Sequence, residues 1–231
     1  MAYSGKHIFF DLDRTLWDFN KNSERALRIL FEECGLAQHI PSFESFQKVY
    51  YNKNKALWHA YSIGKISKES LRYERFRSTL KKFQLTDESL IKRFGDGYVD
   101  LSPKQTALVP FAVEVISDLK QMGFTLHIIT NGFQEIQGNK LKNSNILHYF
   151  DTITNSEMAG VKKPHPNIFE FALSLANASK EESIMIGDSL EADVEGALTF
   201  GIDAVYFNEH NENVQDKIHQ VNHLLELKNI L

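Results

Sequence analysis

In the stretch HIFF, residues 7–10, the three consecutive apolar residues Ile8, Phe9 and Phe10 run directly into the acids Asp11 and Asp13. A strand with both faces apolar must be covered on both faces, which is the condition of a parallel sheet packed between helices. From about residue 106 onward, further short runs repeat this texture. FTLHIIT (124–130), FDTIT (150–154), SIMIG (183–187) and DAVYF (203–207) read as strands. Helical patterns fall between and after them, near 111–122, 134–143, 166–178, 190–200 and 213–229. Pro110 stands where a first helical turn would start, and Gly123 and Gly201 stand where C-terminal caps would fall. Alternation of this kind predicts an α/β fold, a parallel sheet joined by right-handed crossovers.

The segment from about 16 to 105 has a different texture: four helical patterns and no strand. Helices are expected over 22–34, 42–61, 67–83 and 86–100, with Ser42, Ser67 and Thr86 as N-caps and Gly35 and Gly64 as stops. The expected organisation is therefore a catalytic core made of 1–15 and 106–231, with an all-helical domain, 16–105, inserted after the first strand.

Composition narrows the class. With 231 residues at 42% hydrophobic, the chain can bury a sizeable core. A net charge of −4 carries no basic excess, which argues against a nucleic-acid polymer as partner. The longest apolar run is far short of a membrane span. The N-terminal stretch lacks a signal-peptide pattern, and Cys34 is the sole cysteine; both fit a cytoplasmic location.

Polar residues cluster at the strand exits. Asp11 and Asp13 follow the first strand, Thr130, Asn131 and Gly132 the second, Ser156 and Glu157 the third, and Asp188 and Ser189 the fourth. In an open α/β sheet, ligands sit in the crevice beyond the carboxyl ends of the strands, so residues scattered in sequence converge there. An isolated Asp after a strand is more often a helix cap. Four polar exits in one chain point to a site.

DLDRT (11–15), IITNG (128–132), GVKKP (160–164) and GDSLEAD (187–193) resemble the four motifs of the haloacid dehalogenase superfamily, in order and across the whole chain. The resemblance implies a Rossmann-like, doubly wound core with an inserted helical cap and Mg2+-dependent phosphoryl transfer through an aspartyl-phosphate. It implies Asp11 as nucleophile and Asp13 as general acid, then base. Mg2+ would be held by Asp11, Asp188 and the Asp13 backbone carbonyl, and phosphate by Thr130, Asn131, Gly132 and Lys163. Asp193 would orient Lys163 or a metal-bound water. Positive charge is required, because a carboxylate and a phosphate dianion repel by roughly 4 kcal/mol per charge pair at 4 Å and an effective dielectric near 20. Arg14 and His165 depart from the commoner Gly and Asp and carry no assigned role.

Asp13 separates chemistries. Dehalogenases of this superfamily typically lack the second acid and transport ATPases usually carry threonine there, so Asp13 favours a phosphatase or a phosphomutase. No sign of a mutase is visible, which leaves a phosphatase acting on a small phosphorylated metabolite. DLDRTLWDF and the cap arrangement resemble bacterial pyrimidine 5'-nucleotidases, implying a nucleoside 5'-monophosphate; sugar-phosphate and phosphoglycolate-type substrates are the alternatives. Tyr51, Trp58, Trp17 and Phe19 are the candidate substrate-stacking rings, against a default of core packing. A cap that opens and closes about 16–21 and 101–110 is expected, as a monomer or homodimer. The rival outside enzymology is a phosphoacceptor signalling domain; the helical insertion is superfluous for one, the chain is long, and Asp13 would promote rapid dephosphorylation.

Overall fold

The computed structural model describes residues 5–214 and 217–231. In chain order its elements are β1 (His7–Phe10), α1 (Phe19–Glu33), α2 (Phe43–Ser62), α3 (Lys68–Leu80), α4 (Glu88–Leu101), α5 (Ala112–Gln121), β2 (Thr125–Thr130), α6 (Gln134–Asn143), β3 (Phe150–Asn155), α7 (Ser156–Ala159), α8 (Pro166–Ala176), β4 (Ser183–Gly187), α9 (Gly196–Phe200), β5 (Asp203–Phe207), β6 (Gln220–Val221) and α10 (Leu227–Ile230). A π-helical turn, Leu190–Glu195, leads into α9. The chain divides into two compact units: the segment up to Phe19 with Thr106–Leu231, and Asn20–Gln105.

The first unit is a six-stranded sheet in the order β3-β2-β1-β4-β5-β6, parallel throughout. The chain builds β2 and β3 on one side of β1, then crosses over to β4, so the strand order reverses beside β1. Phe10 lies level with Ile128 of β2 and with Ile186 of β4. Asp11 thus leaves the sheet at the switch point, where an open α/β sheet leaves its crevice.

Both faces of the sheet are covered. Ile8, Phe10, Leu126, Ile128, Ile184 and Ile186 pack with Val115, Ile116 and Leu119 of α5. Phe9, Ile129, Met185 and Tyr206 pack on the opposite side with Ile168, Phe169 and Ala172 of α8. The alternation explains HIFF: successive side chains point to opposite faces, and each face meets a helix layer.

The second unit is a helical bundle around rings. Leu27, Leu30 and Phe31 of α1, Phe43, Phe46 and Tyr50 of α2, Phe76 and Leu80 of α3, and Ile91, Phe94 and Tyr98 of α4 form its core. Phe46 lies 5.6 Å from Phe94, and Tyr50 stacks 5.3 Å from Phe76. Ser42 and Ser67 cap α2 and α3 by accepting from Ser45 N and Ser70 N.

Four expectations are corrected. Asp87, not Thr86, caps α4, accepting from Ser89 N. Helix α5 begins at Ala112, with Phe111 before it at φ 65°, so Pro110 lies outside the first turn. The 190–200 helix opens as a wider π turn. The 213–229 helix is absent among the described residues; positions 215 and 216 of that stretch lie outside them. Its place is taken by β6, a short turn Leu224–Glu226 and α10. Val221, Leu224 and Leu227 are all buried, and their three-residue spacing imitates a helical stripe. What places Gln220 and Val221 is backbone pairing to Tyr206 and Phe207, which is a tertiary event.

Candidate active site

Asp11 is placed by its own backbone: its N–H donates to Ile186 O at 2.8 Å, extending the β1–β4 pairing past the end of the strand. The chain then folds back, with the Leu16 and Trp17 N–H groups donating to Leu12 O. Arg14 in this turn has φ 70°, the left-handed region that suits glycine. Its guanidinium lies 4.4 Å over the Phe19 ring.

Lys163 reaches Asp11 from the loop after α7. Its ammonium donates to Asp11 Oδ1 at 2.7 Å and to Ile129 O at 2.6 Å, and lies 2.6 Å from Asp193 Oδ1. An ammonium has three hydrogens, so all are matched by protein acceptors. Asn131 holds the lysine's main chain: its amide donates to Lys163 O at 3.0 Å and accepts from Lys163 N at 2.8 Å. Burial alone would lower the Lys163 pKa, but Asp11 and Asp193 overcome it and hold the ammonium charged, above its ordinary range.

The second acid on Lys163, Asp193, is set by the π turn. Ser189 N donates to Asp193 Oδ2 at 3.0 Å, while Ser189 Oγ accepts from Ala192 N. A Cβ on Gly187 would lie 2.2 Å from Asp193 Oδ2, so this glycine is what admits the carboxylate. Asp188 follows β4, with the Thr15 hydroxyl donating to its Oδ1 at a long 3.5 Å.

Oxygens of Asp11, Asp188 and Asp193 lie within 4.8 Å of one another. Burial, reinforced by Asp193 and only partly countered by Lys163, pushes the Asp11 carboxyl up to about 7. Burial, then the charges of Asp11 and Asp193, hold Asp188 well above the usual carboxylate range. Two acids thus share one lysine with a third, Asp188, beside them, and the cluster has more negative charge than Lys163 compensates. An all-oxygen, electron-rich set of this kind fits a hard divalent cation such as Mg2+. Both oxygens of Asp193 are engaged, by Lys163 and by Ser189 N. Asp11 and Asp188 are therefore the carboxylates best suited to ligate, and Asp193 is suited to hold the lysine.

Asp13 stands in a separate arrangement. Lys140 donates to its Oδ1 at 2.5 Å, and Gln137 donates to its Oδ2 at 2.9 Å. Gln137 Nε2 also donates to Thr130 Oγ1 at 3.2 Å, and that hydroxyl oxygen accepts from Gly132 N at 3.1 Å. Gln137 and Lys140 lie three residues apart on α6, hence on one face. The α6 helix was legible in the sequence; that this face meets Asp13 was not, because only the packing of α6 against the β1 loop decides it. Gly132 is explained here too. A Cβ on it would lie 1.5 Å from Gln137 Nε2, so the glycine makes room for the amide and does not need a phosphate to account for it.

The remaining expectations sort by burial. Trp17 is 0% exposed in the sheet core, with Lys140 Nζ 4.1 Å over its ring, so it offers no face to a ligand and its stacking role is withdrawn. Phe19 is half-buried against Trp17. Within the helical unit, Tyr51 donates its hydroxyl to Asn20 O and accepts from Gln47, which makes it a bundle residue. Trp58 is half-buried, edge-on to Tyr61 at 5.7 Å. Glu157 accepts from Gln134 N at 2.8 Å and so caps α6. His165 caps α8, accepting from Asn167 N at 3.2 Å.

A profile of the haloacid dehalogenase-like hydrolases matches residues 6–201. The chain is 33% identical over 208 residues to the pyrimidine 5'-nucleotidase PynA of Streptococcus pneumoniae, covering 89% of this chain and 85% of that one. It is 30% identical over 212 residues to the pyrimidine 5'-nucleotidase YjjG of Escherichia coli, covering 91% and 89%. The crystal structure of the HAD-hydrolase YfnB of Bacillus subtilis, bound to magnesium and described as revealing interdomain movement, superposes with a TM-score of 0.88 at 30% identity, covering 98% of each chain. With acids, lysine and threonine gathered at the exits of β1, β2 and β4 on this fold, the chain belongs to the haloacid dehalogenase-like hydrolases.

Proposed function

We propose that this hydrolase is a Mg2+-dependent phosphatase that cleaves small phosphate monoesters through an aspartyl-phosphate on Asp11, with nucleoside 5'-monophosphates as its preferred substrates. The observation that carries the reading is Asp11, held by Lys163 beside Asp188, with a second acid, Asp13, two residues on. Asp11 and Asp188, with the Asp13 main-chain carbonyl, would hold the ion. Mg2+ supplies, when bound, positive charge that offsets the repulsion between a carboxylate and a phosphate dianion.

The chain's own residues then divide the work. A carboxylate oxygen of Asp11 attacks phosphorus and forms the new O–P bond. The P–O bond to the alcohol breaks, its electron pair stays on the leaving oxygen, and that oxygen takes the proton of the Asp13 carboxyl. In the second half, Asp13 takes a proton from water as the water oxygen attacks phosphorus. The bond to Asp11 breaks, and its carboxylate is restored. Lys163 keeps Asp11 oriented and offsets its charge. The Thr130 hydroxyl oxygen is engaged as an acceptor, from Gly132 N and Gln137, which leaves its hydrogen for a phosphoryl oxygen.

The nucleotide preference rests on the two pyrimidine 5'-nucleotidases to which the chain is similar. A panel of nucleoside monophosphates, sugar phosphates and p-nitrophenyl phosphate, assayed with Mg2+, tests both levels. Turnover highest on pyrimidine nucleoside monophosphates is expected. Faster cleavage of a sugar phosphate would displace the nucleotide preference alone. A single phosphorylation without turnover would replace the phosphatase with a signalling domain.

A further inference from the structure

The Asp13 carboxyl is held on both oxygens by side chains outside the matched motifs. Lys140 and Gln137 are 4% and 1% exposed, so α6 commits a buried cation and a buried amide to this one acid. The lysine ammonium is fixed twice, by Asp13 Oδ1 at 2.5 Å and by the Trp17 ring face at 4.1 Å. The amide nitrogen has two hydrogens; one goes to Asp13 Oδ2 and the other to Thr130 Oγ1. A carboxyl held at both oxygens has its plane fixed, and each oxygen keeps a second lone pair for a proton. Gln137 also ties that acid to Thr130, so the group at the exit of β1 and the group at the exit of β2 are set relative to one another. Such a clamp is more than packing requires, because an apolar pair of similar volume would fill the same space without burying an ammonium.

We propose that Lys140 and Gln137 are positioning residues for Asp13, fixing its carboxyl for proton delivery to the leaving alcohol and thereby setting how well esters of poor leaving groups react. The inference rests on the phosphatase reading above and adds to it a determinant of leaving-group range. The chemical reasoning is direct. A p-nitrophenolate leaves as a stable anion and needs little proton donation, whereas an alkoxide needs a proton as the P–O bond breaks. The quantity kcat/KM reports steps up to formation of the phosphoenzyme, so it isolates the half-reaction in which Asp13 acts as acid. A clamp that merely supports the fold would change both classes of ester alike.

The experiment compares kcat/KM for p-nitrophenyl phosphate and for an alkyl phosphate, with Mg2+ present, in wild type, Lys140→Met, Lys140→Arg and Gln137→Met. Melting curves accompany each variant. Positioned general acids contribute roughly 10²–10⁴-fold, so partial misplacement in Lys140→Met is expected to cost at least about tenfold more on the alkyl ester than on the aryl ester. Lys140→Arg is expected to recover the wild-type ratio to within roughly threefold, since it keeps the charge and stacks on an indole face. Gln137→Met is expected to shift the ratio in the same direction as Lys140→Met. It carries the test by itself if Lys140→Met does not fold. Equal losses on the two esters in a folded variant would overturn the inference while leaving the phosphatase standing. No hydrolysis of either ester by the wild type would overturn both.

Discussion

Asp11 and Lys163 show how much a single pair decides. Taking the lysine away would leave Asp11 and Asp193 buried without their shared cation, and unpaired buried charge costs about 3–5 kcal/mol. Lys163→Met is therefore expected to lower the unfolding free energy from urea titration by that order, and with it the midpoint, in the absence of Mg2+ and to abolish turnover. An unchanged midpoint would show that the cluster relaxes by taking up protons. Asp11→Asn makes the opposite prediction for stability. It removes one of three crowded carboxylates, so the melting temperature should hold or rise while turnover falls to background. Turnover near the wild-type rate would end the assignment of Asp11 as nucleophile. Asp11 was visible in the sequence because a paired acid follows an apolar strand. The side-chain role of Asn131, holding Lys163 by its main chain, was not visible, because the two residues are 32 apart and meet only in the fold.

Among the elements, β2 contains an acid-sensitive residue remote from the cluster. His127 is buried; its ring stacks 4.6 Å from Phe9, and its nitrogens lie 3.1 Å from His7 Nδ1 and 2.8 Å from Thr152 Oγ1. Burial, then the neighbouring His7, lowers its pKa from 6.5 to about 4. The folded state thus prefers the neutral ring. Its contribution is complete above about pH 6.5 and is lost as the pH falls toward 4, at a cost of about 2 kcal/mol once screening of the charge is allowed for. Urea midpoints at pH 7.5 and 4.5 should therefore differ more in the wild type than in His127→Gln; the same difference in both would remove His127 as the cause.

For the whole molecule, cation binding and folding are linked. Without a cation the raised Asp11 pKa, about 7, means that the native state retains a proton that the unfolded chain releases near 4. Stability from this group is present at low pH and falls as the pH rises from about 4 through 7. A bound cation reverses the balance, because it favours the ionised carboxylates. Mg2+ at about a hundredfold above its Kd should add about 2.7 kcal/mol, several degrees in Tm for a chain of this size. The shift should be larger at pH 8 than at pH 5.5, where protons compete for Asp11. Equal shifts at the two pH values would place the ion elsewhere. The slope from Asp11 is opposite in sign to that from His127, so the His127 comparison is made between variants rather than from one curve.

Much of this architecture was legible before folding. HIFF, SIMIG and DAVYF are strands at the expected residues, because apolar runs of that length must lie in a sheet covered on both faces. The helix caps at Ser42 and Ser67 are local chemistry, a hydroxyl accepting from an N–H three residues on, and local chemistry can be read locally. The α/β class and the order of the polar strand exits follow from the same short-range signals. The tertiary structure alone decided three matters: that the tail pairs as β6, that Trp17 is core, and that α6 turns Gln137 and Lys140 onto Asp13. Each is a contact between residues distant in the chain, set by which surfaces pack together, and short-range periodicity carries no record of such a choice.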